Sequence, residues 1–322
     1  MTVPGSPSSV VIEAFARLHF GVLDLRGTSA RWFGGVGAAA PGPSLELSVA
    51  PARTLEVSGE DAGRAEAFAR RFLAHHALDC GARIHVERAL PAHAGLGSGT
   101  QLALAVARGL ADLVGLPLDA PALARSVGRA RRSAIGTWTF DGGGLVVEGG
   151  RPREGDACGP LVARLPFPPA WRCVVAVPSG TAGLSGADEA SAFAGLPTPA
   201  ERDAEHVAHL VLMSLLPSLA EGDLPAFGAA LSELQEINGR WFASRQGGTF
   251  AKGPSQKLVA RMREWGAHGV GQSSWGPAVY GIVEGPDAGA ALAADVRVEL
   301  AHAGCVYEGA FHTEGARVRR VE

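Results

Sequence analysis

Hydrophobic and polar positions alternate over Val10–Phe20 and again over Leu45–Val57, which predicts two strands with one buried face. Between Asp61 and His76 the period lengthens: Ala65, Phe68, Ala69 and Phe72 share one side of a helix, and Arg70 and Arg71 lie on another. Arg83–Ala89 alternates as a strand and feeds a run of small residues, Pro91-Ala92-His93-Ala94-Gly95-Leu96-Gly97-Ser98-Gly99-Thr100-Gln101. The helix beyond carries Leu102, Val106, Gly109, Leu110 and Leu113 as an apolar stripe, and Pro117 lies just past its end. Thr139–Glu148 predicts a strand, and Trp171–Val177 a buried one ended by Pro178. Helices are predicted over Glu201–Leu219, Pro225–Asn238, Ser255–Trp265 and Ala288–Asp295, with strands over Ala278–Val283, Val296–Leu300 and Cys305–Phe311. The charged runs Glu201–Glu205 and Arg317–Arg320 read as solvated helix faces. Strands and helices mixed without strict βαβ alternation predict an α+β architecture. The Pro-rich stretch Pro160–Pro169 is the expected boundary, giving domains 1–165 and 166–322.

The small-residue run is the chemically most informative segment. A strand that ends in glycines and opens a helix lets backbone N–H groups approach an anion, and the helix N-terminus adds partial positive charge. Ser98 and Thr100 can cap that helix or donate hydroxyls to phosphate oxygens. The loop has no Gly-Lys-Ser/Thr ending and sits in no obvious βαβ unit, so it matches neither common nucleotide motif. The competing reading is a tight turn that needs small residues.

Composition narrows the classes. Apolar residues are 47% and charged residues 19% of 322, a globular balance with room for a large core and two domains. A formal net charge of −3 provides no basic field for general nucleic-acid binding. The four cysteines, Cys80, Cys158, Cys173 and Cys305, show no metal-type pairing and read as reduced thiols. His75-His76 and His206 with His209 lack a third ligand at useful spacing, so no protein-held metal is expected. With neither a signal-like start nor a long apolar run, the expected location is cytoplasmic.

Four segments in order carry a family resemblance: Ala16-Arg17-Leu18-His19-Phe20-Gly21-Val22-Leu23-Asp24-Leu25, the glycine loop, Gly136-Thr137-Trp138-Thr139-Phe140-Asp141-Gly142-Gly143-Gly144, and Gly269-Val270-Gly271-Gln272-Ser273-Ser274-Trp275-Gly276-Pro277. From about Val10 onward the chain resembles the GHMP kinase superfamily and, within it, the β-ribofuranosylaminobenzene 5′-phosphate synthases, which are not kinases. The resemblance implies a GHMP-kinase-like two-part α+β fold with the phosphate loop in the cleft between the parts. It implies decarboxylating condensation of phosphoribosyl diphosphate with 4-aminobenzoate or 4-hydroxybenzoate, releasing CO2 and pyrophosphate, in tetrahydromethanopterin biosynthesis. A homodimer follows by the same analogy, as does Mg2+ carried mainly by the substrate's phosphates. The alternatives are an ATP-dependent small-molecule kinase, for which Asp141 is the candidate base, and a non-catalytic phosphate-ligand binder on the same fold.

On that resemblance Arg17, His19, Asp24 and Asp141 are the candidate catalytic residues. Gly95, Leu96, Gly97, Ser98, Gly99, Thr100 and Lys252 form the candidate diphosphate site. Arg31, Trp32, Trp138, Gln272, Ser273, Ser274 and Trp275 are candidates for the aromatic-acid pocket, with Phe33 as a further wall and Arg240 as another carboxylate or phosphate fork. Arg131 and Arg132 rank lower, as part of a charged run. His19 is a candidate proton carrier because an ordinary imidazole titrates near neutrality. For Asp24 three roles stand open: orienting His19, orienting a ribose hydroxyl, or capping a turn.

Overall fold

The computed structural model describes residues 8–180, 183 and 186–321. In chain order its elements begin β1 (Ser9–Asp24), β2 (Arg31–Ala52), β3 (Glu56–Gly59), α1 (Ala62–His75), β4 (Gly81–Arg88), α2 (Ser98–Leu113), α3 (Ala120–Ser126) and α4 (Ile135–Gly142). They continue with β5 (Leu145–Glu148), β6 (Arg151–Pro152), β7 (Leu161–Leu165), β8 (Trp171–Pro178), α5 (Gly186–Ala194), α6 (Glu201–Leu210), a π turn (Val211–Leu215) and α7 (Leu216–Glu221). The remainder is α8 (Leu224–Gln246), α9 (Pro254–Glu264), β9 (Gly269–Gln272), β10 (Val279–Glu284), α10 (Pro286–Leu300), β11 (Gly304–Ala310) and β12 (Arg317–Val321). Two sheets result, one ordered β12-β1-β2-β4-β3 with β5 and β6 branching from β2 and β7 paired to β5, the other ordered β11-β8-β10-β9. The fold is therefore the expected α+β type.

Helix α2 is the axis of the first layer. Its apolar stripe is buried on β1 and β2, and Gly109 permits the close approach, since a Cβ there would strike Val49 and sit 2.9 Å from Ile12 Cδ1. Helices α9 and α10 cover the small sheet with Leu258, Met262, Leu292 and Val296 in one apolar cluster. Helix α8 connects the layers, contacting β1, β9 and β10. No helix among the described residues is long and apolar enough to cross a membrane.

Several local expectations differ from the fold. Thr139–Gly142 is the end of helix α4, not strand, because Trp138 N–H bonds Ala134 O and the Thr139 hydroxyl donates to Ile135 O. Strand β5 begins only at Leu145, after Gly143 and Gly144 turn the chain with positive φ. Val296–Leu300 finishes α10, with Val296 and Leu300 buried on the small sheet at helical spacing and Val298 exposed. Arg317–Val321 is an exposed edge strand paired antiparallel with β1 rather than a helix face. The first half of β2, rich in glycine and proline, pairs with β1 and β5. Gly37 is needed there because a Cβ would strike Leu18 O and Ile135, so a close helix crossing replaces ordinary strand propensity.

Candidate active site

Two register shifts interrupt the β1–β2 ladder, one between Phe15 and Arg17 and one between His19 and Gly21. Bulges re-aim side chains, and here Arg17 and His19 line the same cleft. Arg17 Nη1 donates to Gly95 O and Arg17 N–H to Leu96 O at 3.0 Å, which ties β1 to the glycine loop. The Ser273 hydroxyl closes the arrangement: it accepts from His19 N–H at 3.0 Å and donates to Gly95 O at 2.7 Å. Thus a strand of the first sheet, the glycine loop and the turn after β9 meet at one buried point.

A cleft of about 740 Å3, counted with the solvent at its mouth, opens beside that point. Phe33, Phe193, Phe242 and Trp275 form its aromatic wall, with Trp275 edge-on to Phe242 at 4.8 Å and to Phe193 at 5.4 Å between centroids. Edge-to-face packing fixes such rings while leaving flat surface for another aromatic group. Arg132 lies 5.3 Å over Phe193 and pairs with Glu189 at 2.6 Å. Helix α8 supplies Gln235, Asn238, Phe242 and Gln246 at helical spacing. Gln235 donates to Phe20 O and accepts from Gln272 N–H at 2.8 Å, while Asn238 accepts from Val22 N–H at 2.7 Å and donates to Val22 O at 3.2 Å. These amides hold the bulged strand against the cleft.

The glycine loop has the geometry of an anion cradle. Gly95 and Gly97 are left-handed, with φ of 78° and 79°, and Gly97 precedes the first residue of α2 without a side-chain cap. The first amides of a helix have no partners within it, so Ser98 and Gly99 present N–H groups at its positive end.

Of the candidates from the sequence, Arg17, His19, Gln272, Ser274 and Trp275 lie on the cleft lining, and Ser273 bonds Gly95 O beside it. Phe33, the further candidate wall, lines the cleft too, whereas Asp24, Asp141, Arg31, Trp32, Trp138, Lys252 and Arg240 do not. Asp24 Oδ1 accepts from Arg26 N–H at 2.6 Å and caps a turn. Asp141 pairs with Arg164 at 2.9 Å at the exposed end of α4, away from the cleft lining. Arg31 donates to Gly150 O at 2.8 Å, Trp138 Nε1 donates to Gly159 O at 2.8 Å, and Trp32 stacks on the far side of Phe33, 5.3 Å between centroids. Lys252 is exposed and folds over Gly247, and Arg240 is exposed on α8 without lining the cleft. Conversely Arg132, ranked low as part of a charged run, lines the cleft, as do Ser133, Glu189, Phe193 and Phe242. The only sequence signal for the α8 residues was a polar i, i+3 pair, Gln235 and Asn238, on an otherwise apolar helix face.

The electrostatics change the role of His19. Burial, reinforced by the Arg17 charge, pushes its imidazole down to about 3, so the ring stays neutral and bonds Ser133 Oγ at 3.2 Å. A neutral ring of this kind does not carry a proton at neutral pH. Arg17 is itself lowered to about 10 by burial, partly offset by Glu189, and remains charged. Glu148 lies behind the cleft, accepting from Ala134 N–H at 3.3 Å and Gly150 N–H at 2.7 Å, and burial raises it to about 7.

The signs of these shifts predict a measurable acid response. A depressed histidine contributes stability above its ordinary value of 6.5 and loses it as pH falls toward 3. Glu148 works oppositely, its contribution present below 4.5 and lost as pH rises through 7. Below pH 4.5, of these two groups only His19 still changes stability with pH, and the comparison with a His19 variant cancels the groups they share. The stability of His19→Gln relative to the native chain should rise as pH drops from 6.5 to 3, by up to roughly 5 kcal/mol. Denaturant melts across that range test this, and a pH-independent difference would contradict a buried neutral imidazole.

Comparison with known proteins agrees with the geometry. Residues 63–142 match the GHMP kinases N terminal domain and residues 215–301 the GHMP kinases C terminal domain. A beta-ribofuranosylphenol 5′-phosphate synthase of Archaeoglobus fulgidus is 37% identical over 84% of this chain and 86% of its own. The protein of that name from Methanothermobacter thermautotrophicus is 33% identical over 85% and 89%. Among solved structures, L. major mevalonate kinase superposes with a TM-score of 0.69 over 98% of this chain and all of its own at 17% identity, a likeness of fold alone. The chain belongs to the beta-ribofuranosylphenol 5′-phosphate synthase family of the GHMP kinase superfamily.

Proposed function

We propose that this chain condenses phosphoribosyl diphosphate with a 4-substituted benzoate, 4-hydroxybenzoate or 4-aminobenzoate, and releases CO2 and pyrophosphate without using ATP. The observation that carries this reading is the adjacency of an aromatic-walled cleft, the desolvated Arg17 and a glycine-rich helix N-terminus. In the reaction, the ring carbon bearing the carboxylate forms a bond to ribose C1 as the C1–O bond to diphosphate breaks. The electron pair of the ring–carboxylate bond then returns to the ring, CO2 leaves, and the ring is aromatic again. Carboxylate, C1 and leaving diphosphate must lie within a few ångströms of each other, and Arg17 is the cation at that junction of cleft and loop.

Each part of the cleft has a task in this scheme. Phe33, Phe242 and Trp275 hold the benzoate ring flat, which lowers the barrier by positioning. The Gly97–Gly99 amides stabilise charge as it develops on the diphosphate. His19 and Ser273 fix Gly95 and β1, so both halves keep register. At the far end, Gln246 or Thr249 meets the 4-substituent. The relatives are named for the phenol product, which makes 4-hydroxybenzoate the first acid to try and 4-aminobenzoate its direct competitor. Placement in tetrahydromethanopterin biosynthesis, a homodimer and a cytoplasmic location belong to the same reading.

Among the described residues no three His, Cys, Asp or Glu side chains converge to hold a metal. The donor set does not fit a resident Mg2+ cage, so the cation belongs to the reading only as the companion of the diphosphate. The kinase alternative lacks support at its base: Asp141 is occupied by Arg164, and Glu189 in the cleft is paired with Arg132.

The direct test is pyrophosphate release from phosphoribosyl diphosphate and Mg2+, without ATP, in the presence of each acid. Release that requires an aromatic acid supports the reading. Acid-independent silence together with ATP-dependent phosphorylation of a small alcohol would replace it with the kinase.

A further inference from the structure

Beyond the glycine loop lies a group of arginines that the cleft itself does not use. Gly128 and Ala130 both have positive φ, 68° and 59°, and the turn between them carries Arg129 toward the first turn of α2. Its guanidinium carbon lies 4.7 Å from the centre of the Phe68 ring, its Nε is buried with no hydrogen-bond partner, and it makes no ion pair among the described residues. Arg64 arrives from α1. Its Nη1 pairs with Asp61 at 2.8 Å, and its other amino group is turned toward α2. A Cβ at Gly99 would lie 2.8 Å from Arg64 Nη2 and 3.0 Å from Arg129 Nη2, so both forks converge on the same glycine. Arg71 stands behind, donating to Val127 O at 3.3 Å.

Like charges brought together and partly desolvated are unfavourable unless an anion joins them. Burial, with Arg64 and Arg71 as the nearest like charges, accordingly lowers Arg129 to about 10, only partly offset by Glu189. The converging forks and the free amides of Ser98 and Gly99 face one region, and their planar donors suit bidentate pairing with phosphate oxygens. Gly99 is the residue that keeps this space open, as any side chain there would meet both guanidinium groups.

We propose that Arg64 and Arg129 form the outer half of a diphosphate clamp whose inner half is the Gly97–Gly99 backbone, and that they hold the leaving pyrophosphate of phosphoribosyl diphosphate. This inference rests on the reaction proposed above and adds the side chains that grip its leaving group. The same substrate also carries a 5′-phosphate, but two forks plus helix amides supply donors for two adjoining phosphates rather than one. Retaining pyrophosphate after C1–O cleavage would also make it a strong product inhibitor.

Calorimetric titration of the native chain with inorganic pyrophosphate, and separately with ribose 5-phosphate, tests the clamp. Arg64→Ala and Arg129→Ala should each weaken pyrophosphate about tenfold or more, and the double variant about a hundredfold or more, while ribose 5-phosphate affinity is unchanged. Arg129→Lys keeps the positive charge and a long side chain but not the fork, so a similar loss in it separates anion binding from folding. Arg53→Ala, an exposed charge removed at a distance, should change nothing. Loss confined to ribose 5-phosphate would overturn the diphosphate assignment in favour of the 5′-phosphate, and unchanged affinities would overturn the clamp altogether. Failure of the native chain to bind pyrophosphate would instead defeat the proposed reaction, and the clamp with it.

Discussion

Replacing Arg17 by alanine should reduce kcat/KM for aromatic-acid-dependent pyrophosphate release by about a thousandfold, roughly 4 kcal/mol of transition-state stabilisation. Arg17 is the charge common to the cleft and the loop, and its desolvation strengthens what it does to an anion there. The fold should survive the change, because Gly95 O keeps the Ser273 hydroxyl when the guanidinium is removed. Arg17→Lys should recover little, since an ammonium cannot span two oxygens in one plane. Steady-state kinetics together with a thermal melt check this. A variant within tenfold of the native rate would remove Arg17 from the chemistry.

Gly97→Val should abolish measurable pyrophosphate binding, with at least about a hundredfold loss in affinity. Two effects act together. The residue has a φ of 79°, which a β-branched side chain resists by at least about 1–2 kcal/mol. Its new Cβ would also lie 2.8 Å from Arg17 Cγ and 3.2 Å from Arg17 Nε, so the guanidinium must move away from the cradle. Gly97→Ala shares the φ penalty with less bulk and should fall between the two. Titration with pyrophosphate measures both variants, and native affinity in Gly97→Val would mean the anion sits elsewhere.

Much of the fold was legible because burial and periodicity coincide. Helices α1 and α2, strands β1, β4 and β8, and most of α8 follow the alternation of Phe, Leu and Val in their own segments. The misread pieces are those decided by distant contacts. β2 between Arg31 and Ser44 is a strand despite its glycines because α4 and β1 press on Gly37. Thr139 to Gly142 is helical because its hydrogen bonds run back to Ile135 and its neighbours.

The site divides along the same line. Arg17 and His19 were marked by the first motif of the resemblance and Gln272 to Trp275 by the last. Phe193, Phe242 and Arg132 come from three separate segments of the chain and meet directly, Phe193 edge-on to Phe242 and Arg132 over Phe193. No local pattern announces such a meeting. The same holds for Trp32 and Trp138, which looked like pocket walls by proximity to motifs, but Trp32 stacks on Phe33 and Trp138 donates its ring N–H to Gly159 O. His19 illustrates a subtler miss: its identity was visible, yet the burial that fixes its protonation was not.

Release of labelled CO2 from carboxyl-labelled 4-hydroxybenzoate and 4-aminobenzoate, with phosphoribosyl diphosphate and Mg2+ but no ATP, tests the decarboxylating condensation most directly. The expected result is CO2 in one-to-one ratio with pyrophosphate, dependent on both substrates and lost in Arg17→Ala. Retention of all label with either acid, by folded protein that consumes ATP or merely binds phosphates, would contradict it.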